Sequence, residues 1–182
     1  MAIKELGGRS VILDEASTHL SRGETISDTA RVLSKYCNIL MIRTTHHQKL
    51  LDYHKYSNLP VINGLSNVSH PCQILADIMA YNEKRGSIKN KSFVWMGDIN
   101  NVLYSWIEAA KIFNFTLNIC CPNIIKFPPA FIENIKISSK YIKISHNAML
   151  ASKNADCVIT DTWFSMGKKP TRKLLQVFKP YQ

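Results

Sequence analysis

Short apolar runs alternate along the chain with longer stretches in which apolar residues recur at helical spacing. The short runs lie at 10–13, 39–42, 59–62, 93–96, 116–121 and 157–160. Runs of this length indicate strands that are buried on both faces of a parallel sheet. The longer stretches predict helices over about 27–36, 70–85, 101–113 and 169–178. Strands that alternate with helices predict an α/β fold with right-handed crossovers.

The most polar break inside the chain is EKRGSIKNK at 83–91. Gly86 within it is typical of a helix stop, because glycine tolerates the backbone conformation that ends a helix. We therefore expect two lobes. The first lobe is predicted at 1–72, a connecting helix at 73–86, and the second lobe at 87–182.

Composition narrows the class of protein. The 182 residues are 46% hydrophobic and 20% charged, which is a globular rather than a disordered composition. No apolar stretch approaches the roughly 20 residues of a membrane helix. The first residues lack the apolar run of a secretory signal, so the expected location is the cytoplasm. The five cysteines show no CxxC spacing, which predicts neither a disulfide framework nor a zinc site.

The net charge of +10 is concentrated towards the end of the sequence. Residues 136–182 carry 9 basic and 2 acidic side chains, whereas residues 1–135 carry 14 and 11. A basic segment of this kind either binds a polyanion or forms a solvated surface. No nucleic-acid-binding motif accompanies the charge, which favours the solvated surface and ranks nucleic acid low among the expected partners.

Polar residues follow four of the predicted strands, at the edge where open α/β sheets bind their ligands. Arg43 follows the run at 39–42. The other three segments are NGLSNVSHPCQ at 63–73, GDINN at 97–101 and DTWFSMG at 161–167. GDINN holds a single glycine and is therefore no dinucleotide-binding fingerprint.

His70 and Gln73 flank a predicted helix start. Pro71 between them is favoured in the first turn of a helix, where its missing N–H would be unpaired anyway. Residues three apart project near the same end, and a helix N-terminus suits an anion or a polarised carbonyl group. The structural alternative is that His70 caps the helix and Gln73 faces water.

Arg43 and the pair of Asp161 with Ser165 each have two interpretations. The planar guanidinium of Arg43 suits a phosphate or a carbonyl oxygen, or else a structural ion pair. Asp161 and Ser165 place a carboxylate and a hydroxyl in one loop, which suits an ammonium group, or else a helix cap and a turn. No single one of these elements decides the function.

Taken together in chain order, the motifs resemble ornithine carbamoyltransferases of the aspartate/ornithine transcarbamoylase family. The resemblance spans essentially the whole sequence, and SMG at 165–167 separates the ornithine enzymes from the aspartate enzymes. The matching segments are RGETISDTARVL at 22–33, PVINGLS at 60–66, HPCQ at 70–73, GDINN at 97–101, DTWFSMG at 161–167 and FKPYQ at 178–182.

The resemblance implies a fold, a reaction and a set of roles. The fold is two Rossmann-like lobes with parallel sheets. The reaction carries a carbamoyl group from carbamoyl phosphate to the δ-amine of L-ornithine, giving L-citrulline and phosphate in arginine metabolism. The family uses no metal and no organic cofactor, and it usually forms homotrimers. By resemblance, the groups around the carbamoyl carbonyl are Arg43, His70 and Gln73. Those that bind ornithine are Asn101, Asp161, Ser165 and Met166.

Two motifs of the family have no counterpart in these residues. A Ser-Thr-Arg-Thr-Arg phosphate-binding motif precedes the point that corresponds to Met1, and a His-Cys-Leu-Pro motif follows the point that corresponds to Gln182. The resemblance therefore implies a chain truncated at both ends, with both lobes incomplete. We expect little or no transcarbamoylase activity from these 182 residues alone, because clustered charged donors are strong contributors to transition-state binding. The competing expectations are completion by a second polypeptide, or a non-catalytic remnant or amino-acid-binding module of the family.

Overall fold

The computed structural model describes residues 2–14, 23–163 and 171–181. The chain divides into two compact units, Met1–Ile62 and Asn63–Gln182. The lobes expected at 1–72 and 87–182, with a helix between them, stay a prediction.

Among its described residues, the first unit holds three helices and one strand, and a second strand begins in it. Helix α1 spans Ala2–Glu5, α2 spans Ile26–Leu33, strand β1 spans Leu40–Arg43, α3 spans His47–Ser57, and strand β2 spans Val61–Leu65. Thr25 caps α2 by accepting a hydrogen bond from the Asp28 N–H at 3.2 Å. The two strands pair, and the core of the unit is a cluster around Ala30, Leu40 and Tyr53.

The strand predicted at 10–13 is wrong. These residues form no strand, and the side chains of Val11 and Ile12 are 80% and 94% exposed. An apolar run gives only a tendency to form a strand, because a strand is stabilised by pairing and by side-chain packing on a sheet. Neither stabilises residues 10–13 here.

The second unit is an α/β domain built on four strands. Its elements are α4 (Pro71–Arg85), β3 (Ser92–Met96), α5 (Asn101–Phe113), β4 (Thr116–Cys120), α6 (Pro129–Ile137), β5 (Ile142–Ser145), α7 (Ala148–Ser152), β6 (Cys157–Thr160) and α8 (Arg172–Phe178). The strand order is β5-β4-β3-β6, and every neighbouring pair is parallel. The predicted α/β class with parallel strands is therefore confirmed.

Burial on both faces of the sheet explains the continuous apolar run of β3. Phe93 and Trp95 of β3 belong to the large core on one face, whereas Val94 belongs to a smaller cluster on the other. The large core stacks aromatic rings, with the centroids of Phe93 and Trp106 5.8 Å apart and those of Phe93 and Phe115 5.2 Å apart. This packing holds β3 against α5, while the pairing of β3 with β6 sets their carboxyl ends side by side.

Five of the helices and strands named above were not predicted from the pattern. Helix α3 has a weak signal, since only Leu50, Tyr53 and Ser57 are buried along one face of an otherwise polar helix. Strand β5 reads IKIS and lies at the edge of the sheet, where half of it is exposed. The other three are α1, α6 and α7. Among the described residues, no helix combines the length and apolarity that crossing a bilayer requires.

Candidate functional site

The candidate site lies where β3 and β6 end side by side. These strands pair in parallel with Met96 opposite Thr160, so the segments that follow them leave the same edge of the sheet. The first segment begins at Gly97 and the second at Asp161. The carboxyl edge of an open parallel sheet is where ligands bind in this class of fold.

A tight turn carries the chain from β3 into α5. Gly97 adopts φ +147°, a conformation that favours glycine. The indole N–H of Trp95 donates to the Asp98 carbonyl at 3.0 Å, and the Asp98 carboxylate accepts from the Ile99 N–H at 2.8 Å. Asp98 is buried, so its carboxylate holds the turn rather than a ligand.

Asn100 links the two strand ends. It is the N-cap of α5, and its side-chain oxygen accepts from the N–H groups of Val102 and Leu103 at 3.1 and 3.0 Å. Its side-chain nitrogen donates to the Asp161 carboxylate at 2.9 Å. One buried amide therefore caps the start of α5 and also orients the carboxylate that follows the neighbouring strand. The contact joins residues far apart in sequence, which is why sequence reasoning missed Asn100.

Asp161 borders a cleft of about 630 Å³ at this edge. We call it the β6 cleft. Among the described residues that line it, Asp161 alone carries a charge at neutral pH. Trp163 also lines the cleft and stacks on Phe178 with the ring planes 12° apart, which fixes the segment that carries Asp161. The remaining lining residues are Met96, Ser152, Val158, Thr160, Thr162 and Tyr181. A single oriented carboxylate in such a cleft suits a ligand with an ammonium group.

Ser165 and Met166, which the sequence assigns to the same segment, lie outside the described residues. Their roles stay predictions.

Asn101 is the first residue of α5, and its side chain forms a hydrogen bond to the backbone of an earlier loop. Its amide nitrogen donates to the Ser66 carbonyl at 2.8 Å, in the loop that follows β2. That loop is stabilised internally, with the Ser66 N–H donating to the Ser69 carbonyl at 2.9 Å and the Asn63 side chain donating to the Ser69 hydroxyl at 2.9 Å. An amide has two N–H groups, so this contact uses only part of the donor capacity of Asn101.

His70 and Gln73 lie at the start of α4, as the position of Pro71 predicted. His70 occupies the N-cap position, and its side chain makes no capping hydrogen bond there. Gln73 makes a side-chain hydrogen bond to Asp77, one turn further along the helix. Burial raises the pKa of Asp77 above its ordinary value, while the hydrogen bond from Gln73 and the nearby His70 act in the opposite direction. The three side chains therefore form one polar group at this end of α4.

Arg43 is the last residue of β1 and is exposed. It belongs to the first unit, whereas all the other described candidate residues belong to the second. Its place beside His70 and Gln73 stays a prediction.

The fold is that of an open α/β protein, in which the carboxyl ends of parallel strands are the usual place for a ligand. Residues 1–83 match the model of the carbamoyl-P binding domain of aspartate/ornithine carbamoyltransferases, and residues 89–182 match the model of their Asp/Orn binding domain. The chain belongs to the aspartate/ornithine carbamoyltransferase family. The resemblance inferred from the motifs is thereby confirmed.

Individual relatives agree with this placement. The chain is 43% identical over 182 residues to the ornithine carbamoyltransferase of Brucella ovis and 46% identical to that of Rhodopseudomonas palustris. It is covered completely in both matches and spans 58% of the length of each relative. Among solved structures, the ornithine carbamoyltransferase of Pyrococcus furiosus matches with a TM-score of 0.88 and 39% identity, over 100% of this chain and 59% of that one. The enzyme of Thermus thermophilus matches with a TM-score of 0.85 and 28% identity, over the same shares.

Proposed function

We propose that this chain belongs to an enzyme that transfers a carbamoyl group from carbamoyl phosphate to the δ-amine of L-ornithine, and we expect little or no turnover from the 182 residues alone. The amine nitrogen attacks the carbonyl carbon, the bond to the phosphate oxygen breaks, and the attacking nitrogen loses a proton. The products are L-citrulline and inorganic phosphate. The observation that carries the proposal is the Asp161 carboxylate, held by Asn100 at the rim of the β6 cleft in a chain of this family.

The acceptor side of the proposal assigns the amino acid to the edge formed by β3 and β6. Asp161 faces the ammonium group of ornithine, and a buried amide holds that carboxylate in one orientation. Asn101 contacts the carboxylate of ornithine with the part of its amide that Ser66 does not use. Ser165 and Met166 complete the acceptor site by resemblance.

The donor side assigns the carbamoyl carbonyl to Arg43, His70 and Gln73. Attack by the amine builds negative charge on the carbonyl oxygen, and donors already in position stabilise that charge. The start of the 15-residue helix α4 adds a positive end of a helix dipole beside His70 and Gln73. No cofactor and no metal enter the proposal. By resemblance, we also propose that the protein forms a homotrimer and is located in the cytoplasm. Sedimentation of the purified chain tests the oligomeric state.

Ornithine binding is the decisive measurement, because the chain spans 58% of the length of its relatives and binding requires fewer groups than turnover. Calorimetric titration of the 182-residue chain should show binding of L-ornithine and weaker binding of L-aspartate. Asp161→Asn removes the charge that faces the ammonium group and should weaken ornithine binding at least tenfold, as loss of a charge-assisted hydrogen bond of ~1.5–3 kcal/mol implies.

Asp156→Asn is the matched control. Asp156 immediately precedes β6, at the opposite end of the strand from Asp161, and it pairs with Lys91 at 3.3 Å. This variant should leave ornithine affinity unchanged. Equal affinity of the wild-type chain for ornithine and aspartate, or no effect of Asp161→Asn, would contradict the proposal.

Citrulline formation then separates an enzyme from a binding module of the same family. The chain is assayed with carbamoyl phosphate and ornithine, and the product is quantified against a reaction without the chain. Ornithine binding without citrulline identifies an amino-acid-binding module. Citrulline formation that Asp161→Asn abolishes identifies a transferase.

A further inference from the structure

Ser105 lies one helical turn after Asn101 on α5 and faces the start of α4. The side chain is buried, with 4% of its surface exposed. Its hydroxyl oxygen accepts a hydrogen bond from the His70 backbone N–H at 2.8 Å. The same hydroxyl donates to the Asn101 carbonyl at 3.3 Å. A serine hydroxyl can donate one hydrogen bond while it accepts another, so both contacts are satisfied at once.

The contacts of Ser105 close a ring of hydrogen bonds. Asn101 is tied by its side chain to the Ser66 carbonyl at 2.8 Å. Ser66 is tied to Ser69 within the loop that leads to His70. His70 is therefore joined to the start of α5 twice, once through Ser105 and once through the loop. Two hydrogen-bonded connections restrict the position of His70 relative to α5 more than one connection alone would.

We propose that Ser105 is a positioning residue, whose single hydroxyl sets the place of His70 relative to Asn101. The roles of these two residues in binding the carbamoyl donor and ornithine rest on the proposed function. The mechanical link between them rests on the hydrogen bonds alone. It holds the donor and acceptor groups in one frame, which matters because a displacement of about 1 Å can cost a hundredfold in rate.

The test compares Ser105→Ala with a matched variant in the other unit. Ser57 is also a buried serine, with 0% of its surface exposed, and its hydroxyl accepts from the Leu59 N–H at 3.2 Å. Ser57→Ala therefore also removes a buried hydroxyl that accepts from a backbone N–H. That hydroxyl belongs to the first unit, outside the ring of hydrogen bonds that joins His70 and Asn101. Both variants and the wild-type chain are labelled with ¹⁵N and studied without ligand.

In Ser105→Ala we expect the His70 amide proton to exchange at least tenfold faster, because it loses its acceptor. We also expect the side-chain NH₂ signals of Asn101 to shift, because its backbone carbonyl loses a donor and its helix start is released. Ser57→Ala should change neither. Unchanged Asn101 signals in Ser105→Ala would overturn the proposal, and so would changes of equal size in Ser57→Ala.

Ornithine titration of the same variants separates this proposal from the proposed function. Ser105→Ala should weaken ornithine binding several-fold, because Asn101 is then no longer held in one place before the ligand binds. A wild-type chain that binds no ornithine would contradict the proposed function, while the spectra of the unliganded chains still decide the role of Ser105.

Discussion

Asn100 offers the sharpest test of how the candidate site is held. Its side chain does two separable things: the oxygen caps α5 and the nitrogen donates to Asp161. Asn100→Ala removes both contacts. Asn100→Asp keeps an oxygen for the cap and replaces the donor with a second carboxylate that faces Asp161.

The magnitudes follow from the contacts. Loss of the N-cap costs ~1 kcal/mol, and loss of a hydrogen bond to a charged group costs ~1.5 kcal/mol or more. Asn100 is 6% exposed, so little solvent is available to replace its bonds. We expect Asn100→Ala to lower the free energy of unfolding by about 2–3 kcal/mol. Asn147→Ala is the control for the cap alone, since Asn147 caps α7 by accepting from the Leu150 N–H at 3.0 Å, and it should cost about 1 kcal/mol or less.

Asn100→Asp should cost about 2 kcal/mol at neutral pH, and the loss should diminish in acid. Two ionised carboxylates in contact repel each other in the folded chain, so one of them takes up a proton more readily there than in the unfolded chain. A carboxyl group of that kind stabilises the fold at low pH, and the contribution is lost as the pH rises. Asn100→Ala has no such pair of carboxylates, so its loss in free energy of unfolding should not diminish in acid as that of Asn100→Asp does.

Tryptophan fluorescence during urea unfolding is the assay. All three tryptophans of the sequence, Trp95, Trp106 and Trp163, lie in the second unit, so the signal reports on the unit that holds Asn100. The reasoning would be refuted if Asn100→Ala cost no more than Asn147→Ala. It would be refuted equally if Asn100→Asp and Asn100→Ala responded alike to acid.

Three further predictions concern the same unit. Burial raises the pKa of Asp77, so its contribution to stability is greatest in acid and declines as the pH rises through the folded-state value. The free energy of unfolding of Asp77→Asn, measured in urea relative to wild type, should therefore be higher at pH 7 than at pH 4. The opposite trend would contradict a raised pKa for Asp77. Gly97→Ala should lower the free energy of unfolding by ~1–2 kcal/mol, because alanine is strained at φ +147°. The cost is one of backbone conformation alone, because an added Cβ would lie at an ordinary contact distance of 3.8 Å from the Trp163 ring. An unchanged urea midpoint would contradict this prediction. Burial raises the pKa of Cys121 to about 11, so a thiol reagent at pH 8 should label it only after unfolding, and peptide mass spectrometry that finds it labelled in the native chain would disprove its burial.

Much of the fold follows from local pattern. The runs at 93–96, 116–121 and 157–160 became β3, β4 and β6. The central strands β3 and β4 are mostly buried, which favours apolar side chains on both faces, whereas alternate residues of the edge strand β6 are exposed. Pro71 marked the start of α4 because of its fixed backbone angle. The run at 10–13 has the same apolar character but forms no strand. Local pattern states a preference, and pairing decides whether that preference is realised.

The candidate site was predictable in part. The rule that ligands gather after parallel strands selected the segments that hold His70, Gln73, Asn101 and Asp161, and the family resemblance then assigned Asn101 its role. The segment at 97–101 also holds Asn100, but nothing in the sequence assigned Asn100 a role in the site. Nor did the rule select Ser105, which reads in the sequence as a buried position on a helix.

By itself, the sequence determined the alternation of strands and helices, the family, and the polar segments at the strand ends. The tertiary structure decided which of those segments meet. Asn100 reaches Asp161 across 61 positions and Ser105 reaches His70 across 35, because β6 pairs with β3 and α5 packs against α4. The spacing of hydrophobic residues along the sequence specifies which face of each element is buried, but it carries no information on the order of the strands in the sheet. The partners of a polar side chain at a strand end are therefore fixed only once the sheet has been assembled.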